Sequence, residues 1–509
     1  MRARLLAPLI VFGSALLVYL ATMAPGLTWA HDSADGGDLI AAVVSGGVPH
    51  PSGYPTFVLL ATPLARLPWH NPAWRVTLLS ALAAAAAAAF VAATVENVLG
   101  RARLPAIVAG LTLAFSSLFW GQATVAEVYA LHACLAAALL WLAVRSRESE
   151  SLGWPAAAGL VFGLALGNHL TSLWLTPLFV VSLLTPPRRS KTVAVGIAGL
   201  LAGLCVYLAL PLRAASNPPL QWGNASTWNG FWWLVSGQLY HSFVFAAPLP
   251  AVPGRVAAAA SLLLQSFLPW GVALAVAGVL RWPRRLRMVN MAMLASAGLG
   301  LVWALGYNTS DSYLSWLPVW PLAAVWLGVG FAALAGWLRS ATARGRWLTA
   351  LLAVLLIAAP LALNWQANDL SNDHSAEEFV AGVLDTVETD ALVLTAGDRA
   401  TFGLWYERYG AGQRPDVWPV SRDLWALMSY RDTAGVAQPG LLAASVEALI
   451  ESASATRPVY LAQAGPDAPD LPTPPTGATW QSLPAPLDQA GQPRWQLYRL
   501  TATTDDAQQ

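Results

Sequence analysis

Long apolar runs almost empty of carboxylates restrict most of this chain to a membrane. Residues 1–364 hold only eight acids, Asp32, Asp35, Asp38, Glu96, Glu127, Glu148, Glu150 and Asp311; the other nineteen lie in 365–509. A helix of roughly 20 apolar residues crosses the hydrocarbon core. Such runs lie near 5–24, 75–98, 105–120, 122–144, 154–168, 170–184, 192–212, 257–280, 288–306, 315–337 and 347–364, which makes eleven expected spans. Arg2 and Arg4 before the first run would also suit a signal peptide. The membranous segments behind it favour a first span. Each half of 154–184 is short, yet basic residues flank the stretch on both sides. They belong on one side of the membrane, which requires an even number of crossings.

Composition supports this reading. Hydrophobic residues make up 56% of the chain and charged residues 11%, against about 25% charged in a soluble domain. A soluble or disordered protein is excluded. A formal net charge of +1 carries no basic excess for nucleic acid. Cys134 and Cys205 sit in apolar runs and support neither a disulfide framework nor a zinc site.

Basic residues set the orientation. With the N-terminus inside, sixteen Lys or Arg residues fall at cytoplasmic ends, and four, Arg66, Arg75, Arg213 and Arg255, fall opposite. The asymmetry predicts a cytoplasmic N-terminus and an exoplasmic tail. The expected fold is a polytopic α-helical membrane protein of about eleven transmembrane helices with a C-terminal exoplasmic α/β domain. Residues 1–365 form the membrane module, with long outer loops at 25–74 and 213–255, and 366–509 form an accessory domain.

The polar residues gather on the outer side, where ionisable groups near bilayer depth are candidates for function. Asp32, Asp35 and Asp38 crowd the first loop. Such crowding either holds a divalent cation or raises one pKa for proton transfer. A plain alternative is that Asp35 or Asp38 caps a helix over Leu39–Val44. His50-Pro51-Ser52-Gly53-Tyr54-Pro55 reads as a rigid turn with two hydrogen-bonding tips, or as a loop entering a short interfacial helix. Tyr54, Trp69 and Trp74 would suit an aromatic belt.

Glu127 lies near a helix start, at the positive end of its dipole. His169 falls where the fifth and sixth spans meet, a place that also suits a structural histidine. Arg213 stands at the outer boundary without a sequence-local acid, suited to a phosphate or to lipid headgroups. Trp222, Trp228, Trp232 and Trp233 could form an interfacial floor or stack on a sugar. Asp311 caps the turn between the ninth and tenth spans. No GxxxxGK[ST], HExxH, CxxC or GxSxG occurs, so nothing points to a phosphate loop or a hydrolase nucleophile.

The tail alternates strands and helices. Helices are expected at 377–387, 402–409 and near 441–453, and strands at 391–395, 416–420, 458–463 and 495–500. This pattern predicts a small, mostly parallel sheet. Gly465 to Gly477 is a proline-rich loop. Gly397-Asp398-Arg399, at a strand's C-terminal end, could bind a ligand, but an accessory domain packed on the outer face is the simpler reading.

Taken in order, these motifs resemble a family. Asp35-Gly36-Gly37-Asp38 with His50-Pro51-Ser52-Gly53-Tyr54-Pro55, then Ala126-Glu127-Val128-Tyr129-Ala130-Leu131, Gly167-Asn168-His169, Leu210-Pro211-Leu212-Arg213 and Trp222-Gly223 are similar to glycosyltransferase family 117. Gly397-Asp398 with Leu404-Trp405-Tyr406, and Arg414-Pro415-Asp416-Val417, continue the likeness into the tail. These are bacterial multi-spanning proteins grouped with the animal plexin-type protein O-mannosyltransferases, in the GT-C superfamily. Asp38 stands where the family usually has Glu, and Ser52 where it has Pro.

The resemblance implies an enzyme of the bacterial cytoplasmic membrane. It implies a polyprenyl-phosphate sugar donor, mannose being suggested by the animal relatives, and a hydroxyl acceptor in protein, glycan or lipid on the exoplasmic side. An inverting displacement would use Asp35 as base, with Asp38 orienting it or holding sugar hydroxyls. Arg213, with His169, would stabilise the departing phosphate. Asp32, His50, Tyr54, Glu127, Trp222 and Asp311 would line the substrate site, and a divalent cation is compatible with the acids. The rivals are a transporter or flippase of a lipid-linked glycan and a non-catalytic receptor. Transporters place ionisable groups near the midplane and show internal repeats, and neither is evident.

Overall fold

The protein is described from a computed structural model over residues 5–100, 102–184, 189–437 and 443–503. Arg2, Arg4, Arg101, Arg188 and the start of the expected helix at 441–453 lie outside the described residues.

The membrane part is a bundle of helices: α1 (Leu6–Thr22), α2 (Gly36–Ser45), α3 (Pro55–Ala65), α4 (Pro72–Leu99), α5 (Arg103–Ala114), α6 (Ser117–Ala123), α7 (Tyr129–Arg147), α8 (Gly153–Leu166), α9 (Thr176–Leu183), α10 (Arg189–Leu204), α11 (Ala209–Ala214), α12 (Trp228–Val235), α13 (Val252–Leu280), α14 (Arg287–Gly306), α15 (Val319–Ala341) and α16 (Gly345–Asn368). Each of the eleven expected spans falls on helix. Among the described residues seven helices are long and apolar enough to cross a membrane, or eight if α5 and α6, bent by 69°, count as one. The segments at 6–22, 153–166 and 170–183 are shorter apolar helices. The bend at α5–α6 also moves the next helix start from 122 to Tyr129, which places Glu127 in the connection.

Packing explains how the short helices are held. Gly159 and Gly163 of α8 face Gly196, Gly199 and Gly203 of α10 so closely that a Cβ on any of the five would strike backbone or a packed side chain. Small residues let helix backbones approach where lipid supplies no hydrophobic drive. α4 starts at Asn71, whose side chain accepts from the Trp74 amide at 2.9 Å, and ends at Gly100 in the left-handed region. Those are cap and stop signals with known chemistry.

The two faces of the bundle differ. On one, Arg285 reaches Glu148 and the carbonyls of Asn97 and Val98, and Arg147 reaches the Leu184 carbonyl. On the other lie the acids of the first loop, Glu127, Asp311 and the C-terminal domain.

That domain contains α17 (Ser375–Thr386), α18 (Asp398–Trp405), α19 (Met428–Ala437), α20 (Val446–Ser454), β1 (Leu392–Ala396), β2 (Trp418–Ser421), β3 (Val459–Ala464), β4 (Ala478–Ser482) and β5 (Trp495–Ala502). The sheet order is β2-β1-β3-β5-β4. β1 pairs in parallel with β2 and β3, but β5 runs antiparallel to β3 and β4. The sheet is mixed, not mostly parallel, because β4 returns to β5 without a crossover helix. β4 and α19 are elements the sequence pattern did not announce. α18 continues as a π-helical turn, Tyr406–Ala411. The free edge of β2 is blunted: Pro419 has no N–H, and the Ser421 amide donates to the Tyr430 hydroxyl at 2.9 Å.

The domain sits on the first loop. Thr28 donates to Asp373, and Trp29 packs on Phe379 with rings 5.4 Å apart. A Cβ on Gly37 would collide with the Phe402 carbonyl, so α2 and α18 touch backbone to backbone.

Candidate active site

The site is built around His50. Gly46, at φ 77°, ends α2 and turns the chain so that His50 comes back beside the start of the same helix. Asp38 in the first turn of α2 is fully buried and accepts three hydrogen bonds. They come from the His50 amide at 2.9 Å, His50 Nδ1 at 2.7 Å and Trp222 Nε1 at 3.1 Å. Asp35 lies on the other side of the ring, its Oδ2 3.4 Å from His50 Nε2. The imidazole is thus held between two carboxylates, one sealed and one 40% exposed.

Electrostatics follow from this arrangement. Burial pulls the His50 pKa down, but Asp35 and the hydrogen bond to Asp38 outweigh it and raise the value to about 9. Burial raises Asp35 to about 6; the His50 charge opposes the shift, and Asp398, Asp38 and Asp311 add to it. At neutral pH the ring is an imidazolium and Asp35 is mostly an open carboxylate.

Aromatic rings close the pocket. Tyr54 meets His50 edge-on at 4.9 Å, Trp222 at 6.2 Å, and Phe402 of the C-terminal domain lies parallel to it at 6.4 Å. Tyr54 is therefore an inner wall rather than part of a surface belt, its hydroxyl donating to the Pro51 carbonyl at 3.2 Å. Tyr54 also faces His169, which stacks on His132 at 5.1 Å and whose Nδ1 lies 2.7 Å from the Thr171 hydroxyl.

The three first-loop acids diverge. Asp35 occupies the N-cap position of α2 without making a side-chain cap. Asp38 turns inward, and Asp32 accepts from the Tyr313 hydroxyl. Among the described residues no three His, Cys, Asp or Glu side chains are grouped to hold a metal ion. The three acids do not gather into one donor set: Asp35 and Asp38 face His50 from opposite sides, and Asp32 turns away to Tyr313.

Other expected residues are distributed as follows. Glu127 is buried, with one oxygen accepting from the Val128 amide at 3.3 Å and Oε1 without a partner. Asp311 precedes a 3₁₀ turn, Ser312–Trp316. Arg213 donates Nε to the Gly47 carbonyl at 2.8 Å and a second nitrogen to the Ala42 carbonyl at 2.9 Å. It braces the C-terminal end of α2, with no hydrogen bond from Nη1 among the described residues. Of the four tryptophans only Trp222 enters the site; Trp228 and Trp232 are exposed. Behind Trp222 a small cleft opens between Pro219–Gln221 and the domain's Trp405, Tyr409, Trp418 and Tyr430.

The sequence pattern missed Phe402. Its signal was present as an apolar helix face in the tail, but no spacing could say that this face lies on His50.

Comparison with known proteins is consistent with this geometry. Residues 35–194 match the N-terminal domain of the protein O-mannosyl-transferase TMEM260 family, a segment that begins at Asp35 and includes His50, Glu127 and His169. The mouse protein O-mannosyl-transferase TMEM260 is 28% identical over 486 residues, covering 88% of this chain and 68% of that protein. The Dictyostelium discoideum protein of the same name is 22% identical, covering 83% of this chain and 58% of its own length. Among solved structures, ArnT from Cupriavidus metallidurans bound to undecaprenyl phosphate aligns with a TM-score of 0.60 at 13% identity, covering 96% of this chain and 97% of that one. The Archaeoglobus fulgidus oligosaccharyltransferase aligns with a TM-score of 0.52 at 12% identity, covering 89% and 68%.

The fold and relatives define a multi-pass membrane glycosyltransferase of the GT-C class. Within that class the particular likeness is to the protein O-mannosyl-transferase TMEM260 family, whose N-terminal domain matches residues 35–194. The likeness favours the glycosyltransferase reading over the transporter and receptor ones.

Proposed function

We propose that the enzyme transfers a sugar, mannose by analogy with its relatives, from a polyprenyl phosphate to a hydroxyl group, with Ser or Thr in protein as the acceptor, on the exoplasmic side of the bacterial cytoplasmic membrane. The observation that carries the mechanism is the contrast between Asp38, sealed against His50, and Asp35, open beside it. Asp35 takes the acceptor proton as the hydroxyl oxygen attacks the anomeric carbon and the bond to the phosphate oxygen breaks. The configuration inverts in this single displacement.

His50 positions Asp35 and balances its charge. Asp38 orients His50 through Nδ1, which fixes the ring as second partners commonly do. The sealed position of Asp38 suits that orienting role rather than contact with sugar hydroxyls. The carboxylates also favour a transition state with oxocarbenium character. Arg213 offers its remaining Nη1 toward a lipid phosphate, with His169, Asp32, Tyr54, Glu127, Trp222 and Asp311 shaping the site.

The test is incubation of the purified protein with a panel of polyprenyl-phosphate sugars, scored by release of polyprenyl phosphate. Wild type is compared with Asp35→Asn, with and without chelator. Release from one donor that depends on Asp35 supports the reading and names the sugar. No release with any donor, cell-envelope extract being supplied as acceptor, would overturn it. The chelator arm decides the metal requirement, for which the divergent acids give no evident site.

A further inference from the structure

The family match ends at residue 194, yet one carboxylate beside the His50 array comes from the C-terminal domain. Asp398 opens α18, directly after Gly397 in the left-handed region at φ 77°. Four residues on, one turn along the same helix face, Phe402 lies over His50. The helix therefore turns Asp398 toward the array. Its charge couples to His50, Asp38 and Asp311, and it is among the charges acting on Asp35.

The neighbouring acids of the domain are engaged. Asp423 accepts from the Gly397 amide at 2.8 Å, and Asp416 pairs with Arg414. Arg399, next in sequence, lies over Trp29 instead of pairing with Asp398. Asp398 itself is exposed, and no hydrogen bond or ion pair to its carboxylate is found among the described residues. An open acid beside Asp35 and Asp311 adds repulsion that the fold does not use.

A second observation points the same way. Glu127 is 3% exposed, its Oε1 has no partner, and its charge couples to Asp35, His50 and Asp311. Buried polar atoms in native proteins are almost always paired, so this oxygen awaits a donor from a ligand. Two carboxyl groups from different parts of the chain thus act on Asp35 while leaving oxygens that no protein group is seen to pair among the described residues. A ring bearing several hydroxyl donors, seated with its anomeric carbon near Asp35, satisfies both.

We propose that Asp398 binds hydroxyl groups of the transferred sugar, which makes the C-terminal domain part of the donor site. This rests on the glycosyl-transfer reading above. The test compares wild type with Asp398→Ala and Asp398→Asn in two measurements. In steady-state release of polyprenyl phosphate, Asp398→Ala is expected to raise KM for the sugar donor about tenfold or more, with kcat and thermal melting little changed. In equilibrium binding without acceptor, wild type should prefer polyprenyl-phosphate sugar over bare polyprenyl phosphate, and the variant should lose that preference.

Unchanged donor KM together with an unchanged preference would overturn the proposal, as would a rise confined to the acceptor KM. A parallel loss of kcat and melting temperature in both variants would reduce Asp398 to a structural role and overturn it too. Binding does not need turnover. Lost preference in Asp398→Ala would therefore support the site even if the transfer reading failed in wild type.

Discussion

Phe402 lies flat over His50, 6.4 Å away with 12° between the ring planes, although 352 positions separate them in the chain. The contact brings a helix of the C-terminal domain onto the one imidazole that bridges Asp35 and Asp38. It excludes water from one face of a charged ring, so the carboxylates are its main source of compensation.

Asp35→Asn should leave folding intact and lower transfer by about two to four orders of magnitude, the range of a general base. Asp35 is partly exposed and makes no capping bond, so little stability is at stake. Polyprenyl-phosphate release and a thermal melt, run on the same preparation, check both halves. Near-full activity would remove Asp35 from the role of base.

Asp38→Ala should behave differently. It strips three hydrogen bonds and leaves a buried imidazolium without its closest anion. A loss of about 3–5 kcal/mol of stability is expected, because the unpaired charge stays buried. Melting in detergent measures it. An unchanged melting temperature would show that His50 is not held as a cation.

Rate against pH should trace a bell. Below about 6 Asp35 gains a proton and ceases to be a base, so the rate falls with acid. Above about 9 His50 loses its proton and no longer separates the charges of Asp35 and Asp38, so the rate falls again. The limbs belong to the coupled array. In His50→Gln the alkaline limb should disappear, which kcat/KM profiles of the two proteins would show.

Gly37→Ala should weaken the seam between α2 and α18, since the new methyl meets the Phe402 carbonyl rather than a flexible side chain. The expected result is a loss of activity with the membrane helices retained, seen as a greater rate of proteolysis in the C-terminal domain. Phe402→Ala should do the same by removing the ring, at a cost of about 3–5 kcal/mol.

Much of the helical membrane architecture was legible because apolar length is a property of local sequence. The polar first loop stood out as a candidate site for the same reason: acids are costly there. The directions of its side chains were not legible. Asp32, Asp35 and Asp38 look like one cluster in the sequence, but a helix start at Gly36 puts Asp35 and Asp38 on opposite sides of His50 and leaves Asp32 to Tyr313. Arg213 read as a free cation because its partners are backbone carbonyls of Ala42 and Gly47, which no residue identity reveals. The mixed sheet was hidden because Ala478–Ser482 pairs through its backbone while its side chains are largely exposed.

The seam at Gly37 and Phe402 also has a meaning in the order of synthesis. Chains emerge from the ribosome N-terminus first, and domains fold in that order. Asp35, Asp38 and His50 are made early, but the ring that covers them is made after every membrane helix is complete. A chain stopped before residue 402 can insert its helices yet leaves His50 uncovered. A part made later thereby serves as a completeness check on one made earlier.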